Sequence, residues 1–192
     1  GVFRAVAPLD LKIETGRFVS LVGPSGCGKS TLFNIIAGLL QPTEGRVLID
    51  GEDATGTIGR VGYMLQKDLL LPWRTVLDNV VLGMEIQGTP MKAARERALP
   101  LLQKYGLAGF EHLYPNSLSG GMRQRAGIAR ALAVEPAVLL MDEPLSALDS
   151  KRKSEILPFL EQIRDSHGAP IIYVTHDIAE AERLATQMID LD

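Results

Sequence analysis

Gly23-Pro24-Ser25-Gly26-Cys27-Gly28-Lys29-Ser30-Thr31 satisfies the pattern G-x-x-x-x-G-K-[ST]. Glycines at these spacings let the backbone turn tightly enough for consecutive N–H groups to face phosphate oxygens, and a helix starting at the end of the loop adds its positive dipole end. The Lys29 ammonium brings a full charge to the β- and γ-phosphates, and the Ser30 hydroxyl is placed to ligate Mg²⁺. Cys27 reads as a small loop residue among phosphate-binding amides rather than as a nucleophile. Farther along, the apolar run Val138–Met141 ends in Asp142-Glu143. Mg²⁺ takes oxygen ligands and keeps several waters, so Asp142 joins Ser30 and the phosphates as a plausible shell. Glu143, turned the other way in an extended chain, can orient or deprotonate an attacking water. His176 follows Ile171–Val174 with Thr175 between them, and suits a γ-phosphate and that water. Gln66 follows Val61–Leu65, and its amide can reach Mg²⁺ or water. Each residue alone says little. Together they share a place at strand ends, where open α/β sheets bind their ligands.

Five short apolar runs stand behind these residues: Phe18–Val22, Val47–Asp50, Val61–Leu65, Val138–Met141 and Ile171–Val174. Their hydrophobicity is continuous rather than alternating, which predicts strands buried on both faces, a parallel sheet covered by helices and an α/β fold. The helical text Leu32–Ala37 follows the phosphate loop. Between Pro72 and Pro136 strand signals vanish, and Thr75–Gln87 and Met91–Tyr105 carry apolar residues at helix-like spacing. Pro100 is expected to bend the second of these or divide it. Ser119 can cap a helix from about Gly121 through Ala133, leaving glycine amides and a positive dipole end toward an anion. With no internal repeat, low-complexity tract or long polar linker, the helical stretch reads as an insertion into the α/β unit.

Composition agrees. The 192 residues carry 20 Lys+Arg against 23 Asp+Glu, with 46% hydrophobic and 22% charged residues, which excludes a disordered, collagenous or coiled-coil chain. One cysteine rules out a disulfide within the chain. No apolar run approaches a membrane-spanning helix, and Gly1–Asp10 lack the pattern of a secretory signal. The mild acidity gives no electrostatic reason to expect nucleic acid as a partner.

Leu118-Ser119-Gly120-Gly121-Met122-Arg123-Gln124-Arg125 makes the pattern specific. In order, and over nearly the whole chain, the phosphate loop, Gln66, this segment, Asp142-Glu143, Ser146-Ala147-Leu148-Asp149 and Thr175-His176-Asp177 resemble the ATP-binding cassette of ABC transporters. The resemblance implies a P-loop NTPase with a RecA-like core at 1–71 and 131–192 and a helical subdomain at 72–130. It implies Mg²⁺-dependent ATP hydrolysis with Glu143 and His176 as catalytic groups, Ser30, Gln66 and Asp142 at the metal, and Gln66 also in coupling. Two cassettes would stack head to tail, so that Ser119, Gly120 and Gly121 contact the γ-phosphate held by the other subunit and Asp149 links the two sites. The implied partners are a second cassette, transmembrane permease subunits and a periplasmic or extracellular solute-binding protein. The implied place is the cytoplasmic face of the membrane.

Leu70-Leu71-Pro72-Trp73 and the stretch from His112-Leu113-Tyr114-Pro115 to Gly121 resemble the importer branch for nitrate, sulfonates, taurine and pyrimidine precursors. The apolar run ending in Trp73 has two readings, core or a docking groove for a short helix of the membrane partner. The family usually stacks adenine on an aromatic residue well upstream of the loop. Phe3 is a poorly placed substitute, so that aromatic and its strand are expected before Gly1. A further strand is expected to begin or continue at Ile189–Asp192, and both ends look trimmed. Two other classes compete. A phosphate-loop kinase has no use for Leu118–Arg125, and soluble cassettes acting on DNA or ribosomes carry long coiled coils or two cassettes per chain.

Overall fold

The computed structural model describes residues 5–191. Its elements run β1 (Phe18–Val22), α1 (Lys29–Ile36), β2 (Leu48–Ile49), β3 (Glu52–Asp53), β4 (Val61–Met64), α2 (Val76–Val80), α3 (Leu82–Ile86), α4 (Met91–Lys104), a 3-10 turn at Pro115–Ser117, α5 (Gly120–Ala133), β5 (Val138–Asp142), α6 (Ser150–Ser166), β6 (Ile171–Val174), α7 (Ile178–Leu184) and β7 (Gln187–Asp190). The main sheet has the order β4-β5-β6-β1-β7. Neighbours β5–β6, β6–β1 and β1–β7 are parallel. Every residue of β1, β5 and β6 is buried, as continuous apolar runs require of strands covered on both faces.

Val19, Leu21, Leu140, Ile172 and Val174 line one face of the sheet, and α1 lays Phe33 and Ala37 on it. Full burial of a side chain such as Phe33 stabilises by roughly 1.5–3 kcal/mol. The Phe33 ring meets Tyr63 edge-on at 5.8 Å. Leu21 is level with Val174, and Val174 with Asp142. The chain therefore leaves β1, β6 and β5 at one height, into the phosphate loop, Thr175-His176 and Glu143.

Several expectations are corrected. Of Val47–Asp50 only Leu48 and Ile49 form strand, and they pair antiparallel with β3 in a separate two-stranded sheet. Asp50 and Gly51 both take left-handed backbone, φ 54° and 81°, the geometry an Asp-Gly hairpin turn requires. That turn folds the run back before it can join the parallel sheet, and Ile49 points to the core while Leu48 is exposed. Thr75–Gln87 becomes two five-residue helices, α2 and α3, joined through Val81. Pro100 does not divide α4, which runs through it while burying Ala94, Ala98 and Leu102. One missing hydrogen bond is outweighed by that docked face.

The chain forms two compact units. One comprises Gly1–Tyr63, Ala137–Glu143 and Glu161–Asp192, the other Met64–Pro136 and Pro144–Leu160. This differs from the division expected at 72 and 130. α5 continues to Ala133 and carries the following residues with it, and the stretch from Pro144 into α6 groups with the helices. Within the helical unit α5 packs on α2, α3 and α4, over buried Val76, Val80, Met84, Leu102, Ile128 and Leu132.

Candidate functional site

In the sheet unit, Gly28 caps α1 with φ 99°. A Cβ there would stand 2.3 Å from the Ala5 carbonyl oxygen, so this position of the loop needs glycine on both counts. Lys29 follows, nearly buried. Its Nζ donates to the carbonyls of Gly23 and Pro24, each at 2.7 Å, and to Cys27 Sγ at 3.4 Å. The ammonium is thus held in the curve of the loop, beside exposed Pro24, Ser25 and Gly26. Ser30 Oγ donates to Asp142 Oδ2 at 3.0 Å, joining the start of α1 to the tip of β5. Thr31 continues the helix behind them.

Asp142 is 8% exposed. Burial raises its carboxyl above the ordinary value of 3.8; the Ser30 hydrogen bond opposes this, the Glu143 charge adds to it, and Lys29 opposes it. Burial, and then the charge of Asp142, push the Tyr63 phenol up to about 12. Glu143 is not extended, as strand alternation assumed, but left-handed with φ 46°. Its N–H donates to the Val174 carbonyl at 2.9 Å, and its Oε2 lies 3.4 Å from His176 Nδ1. Strained backbone of this kind persists where surrounding structure holds it, and it clusters at functional sites. The His176 side chain is 62% exposed, against 23% for Glu143. A carboxylate beside an imidazole, next to a second carboxylate and a buried ammonium, can bind phosphate and take a proton from water.

Among the described residues no group of three or more His, Cys, Asp or Glu could cage a metal ion. The pair Ser30 and Asp142 instead offers two oxygens side by side. That donor set fits Mg²⁺, which completes its shell from phosphate and water, and a cation there would offset the burial of Asp142.

In the helical unit, Ser119 caps α5 and its Oγ accepts from the Met122 N–H at 3.3 Å. Gly120 and Gly121 open that helix, as expected. Arg123 Nε lies 3.2 Å from Asp68 Oδ2, and Arg130 donates to the carbonyls of Asp68 at 2.6 Å and Leu69 at 2.8 Å. α5 therefore grips the segment that follows Gln66. Gln66 Nε2 donates to Ser146 Oγ at 3.2 Å. Asp149 Oδ1 accepts from the Arg152 N–H at 2.9 Å at the start of α6. Gln124 Nε2 donates to the Pro144 carbonyl. The run ending in Trp73 is divided: Leu70 is buried, while Leu69 and Trp73 are exposed, Trp73 by 71%.

Sequence reasoning missed two buried polar residues that shape these segments. Asn79 exchanges hydrogen bonds with the Leu71 N–H and carbonyl and donates to the Arg74 and Thr75 carbonyls, fixing the turn that presents Trp73. No local signal marks it. Glu180 accepts from Tyr173 and Thr175, and the spacing Asp177-x-x-Glu180 is that of a capping box. Phe3 lies outside the described residues.

Residues 6–146 match the ABC transporter family. The chain belongs to that family. This ABC cassette is 49% identical over 181 residues to the aliphatic sulfonates import ATP-binding protein SsuB 1 of Rhodococcus jostii, covering 94% of this chain and 70% of that one. It is 47% identical over 189 residues to the taurine import ATP-binding protein TauB of Rhizobium johnstonii, covering 97% and 72%. A dimeric structure of the cassette MJ0796 in a post-hydrolysis state, bound to ADP and Pi, matches with a TM-score of 0.82 at 38% identity over 98% of this chain and 86% of that one. The cassette has the P-loop NTPase fold and is an ATPase, which ends the kinase reading. No helix among its described residues is long and apolar enough to cross a membrane.

Proposed function

We propose that this cassette energises uptake of a small solute, of the sulfonate and taurine class for which its relatives are named, by closing on ATP with a second cassette and opening after hydrolysis. The observation that carries the chemistry is the pairing of Ser30 with Asp142 and of Glu143 with His176 at the level ends of parallel strands. Loop amides from Gly23 to Thr31 and the Lys29 ammonium bind the β- and γ-phosphates. Ser30 and Asp142 would hold Mg²⁺. The ion, when bound, neutralises charge that builds on the phosphate oxygens. Glu143 orients the attacking water and takes its proton, while His176 contacts the γ-phosphate and keeps that water in line. ADP and phosphate are the products.

Ser119, Gly120 and Gly121 form the second phosphate-binding element and act on the nucleotide of the partner cassette, with Asp149 at the interface between the two. Loss of the γ-phosphate removes those contacts and releases the halves. The exposed turn around Trp73, held by Asn79 and gripped with its neighbours by α5, is the docking surface for a permease subunit, with Gln66 at its entrance. A solute-binding protein delivers the cargo on the far side, and the cassette works from the cytoplasmic face. The test is Mg²⁺-dependent phosphate release from ATP by this chain. Release that vanishes in Lys29→Ala is expected, and turnover unaffected by Lys29→Ala would overturn the assignment.

A further inference from the structure

Three side chains of the acidic and basic residues are buried among the described residues: Lys29, Asp142 and Glu180. The first two belong to the phosphate site. Glu180 does not, and a carboxylate taken out of water persists only where something holds it. What holds it is a pair of hydroxyls on β6 and on the residue just after it. Tyr173 Oη donates to Glu180 Oε2 at 2.8 Å, and Thr175 Oγ1 donates to the same oxygen at 3.0 Å. Thr175 Oγ1 in turn accepts from the Asp177 N–H at 3.0 Å. Asp177 caps α7 through the N–H groups of Ala179 and Glu180. The residues on both sides of His176 are therefore tied, through one hydroxyl, to a single buried carboxylate.

We propose that Glu180 is a positioning residue for His176: with Tyr173 and Thr175 it anchors the Thr175-His176-Asp177 turn and sets the imidazole beside Glu143. The His176 side chain is exposed and has little packing of its own to fix it. Its backbone must supply the precision, and the opposite wall is already fixed by the Glu143 N–H on the Val174 carbonyl. Burial, and next the charge of Glu180, raise the Tyr173 phenol far above its ordinary value, so it stays a donor at any working pH. The inference rests on the role given to His176 above.

The experiment compares steady-state ATP turnover with the imidazole NMR signals of His176, one of only three histidines, assigned through His176→Ala. Thr175→Val and Glu180→Ala are each expected to lower kcat about tenfold or more, with KM for ATP changed less than about twofold, and to shift the His176 signals. Tyr173→Phe leaves the Thr175 link in place and is expected to change kcat less than about threefold, with the signals in place. The double variant Thr175→Val/Glu180→Ala should be no slower than the slower single one, as members of one unit behave. If Glu180→Ala does not fold, the near-isosteric Thr175→Val carries the test. Wild-type turnover and unmoved signals in Thr175→Val would overturn the proposal, as would KM rising in step with the loss of kcat. His176→Ala is expected to lose about 100-fold in kcat. If it turns over normally, the role of His176 falls, while the NMR signals still test the anchor.

Discussion

Asp142→Asn should stabilise the nucleotide-free protein while weakening its function. Asp142 is a nearly buried carboxylate whose surroundings, on balance, disfavour its charge: burial and Glu143 outweigh Ser30 and Lys29. Asparagine keeps the shape and an oxygen for the Ser30 hydroxyl, so a charge-assisted hydrogen bond becomes a neutral one while the desolvation of a charge disappears. The net gain is on the order of 1 kcal/mol at neutral pH, or a Tm higher by about 2–4 °C in a chain of this size. The sign against pH follows from proton binding. Between the ordinary 3.8 and its raised folded value, Asp142 binds more protons folded than unfolded, so wild-type stability falls as pH rises through that window. Below it both states are protonated and the variant gains little. Thermal unfolding of both proteins at pH 4.5 and pH 7.5 should therefore show an advantage for Asp142→Asn that grows with pH. MgATP at 100 times its Kd should reverse the order, because wild type gains about 2.7 kcal/mol from ligand and the variant far less. An apo Asp142→Asn protein less stable than wild type at pH 7.5, or an advantage independent of pH, would refute the reasoning.

Further predictions concern the helical unit. Ser119→Ala removes the cap of α5 and should cost about 1 kcal/mol, whereas Ser119→Gly should cost only a few tenths; urea unfolding of the two compares them. Asn79→Ala leaves the Leu71 N–H and the Arg74 carbonyl without their side-chain partner and should cost about 2–3 kcal/mol. The fluorescence of Trp73, the sole tryptophan, should change with it, while nucleotide affinity, measured by titration calorimetry, should stay at the wild-type value.

The phosphate loop, β1, β5 and β6 were legible because each depends on local text: glycines at fixed spacing, and apolar runs long enough to be buried on both faces. The helix at Ser119 was legible for the same reason, through a capping residue followed by helix formers. Val47–Asp50 misled because three apolar residues in a row carry no direction, and the outcome was decided by the left-handed pair Asp50-Gly51 at the end of the run. Glu143 was read as extended because strand alternation says nothing of the residue where the strand ends; it is left-handed there, with its N–H bonded to Val174 on a neighbouring strand. Asn79 and Glu180 were invisible as anchors. Their partners are brought to them by turns and by the packing of α7 on β1, and a single polar letter in a helix does not reveal whether it faces water or a buried carbonyl.

The central claim is that ATP holds two cassettes together and hydrolysis releases them. The most direct measurement is the solution mass of Glu143→Gln by light scattering with Mg²⁺ and saturating ATP, beside the same protein with ADP. Twice the single-chain mass is expected with ATP and the single-chain mass with ADP. A protein that binds ATP yet stays at the single-chain mass, or that doubles equally with ADP, would contradict it.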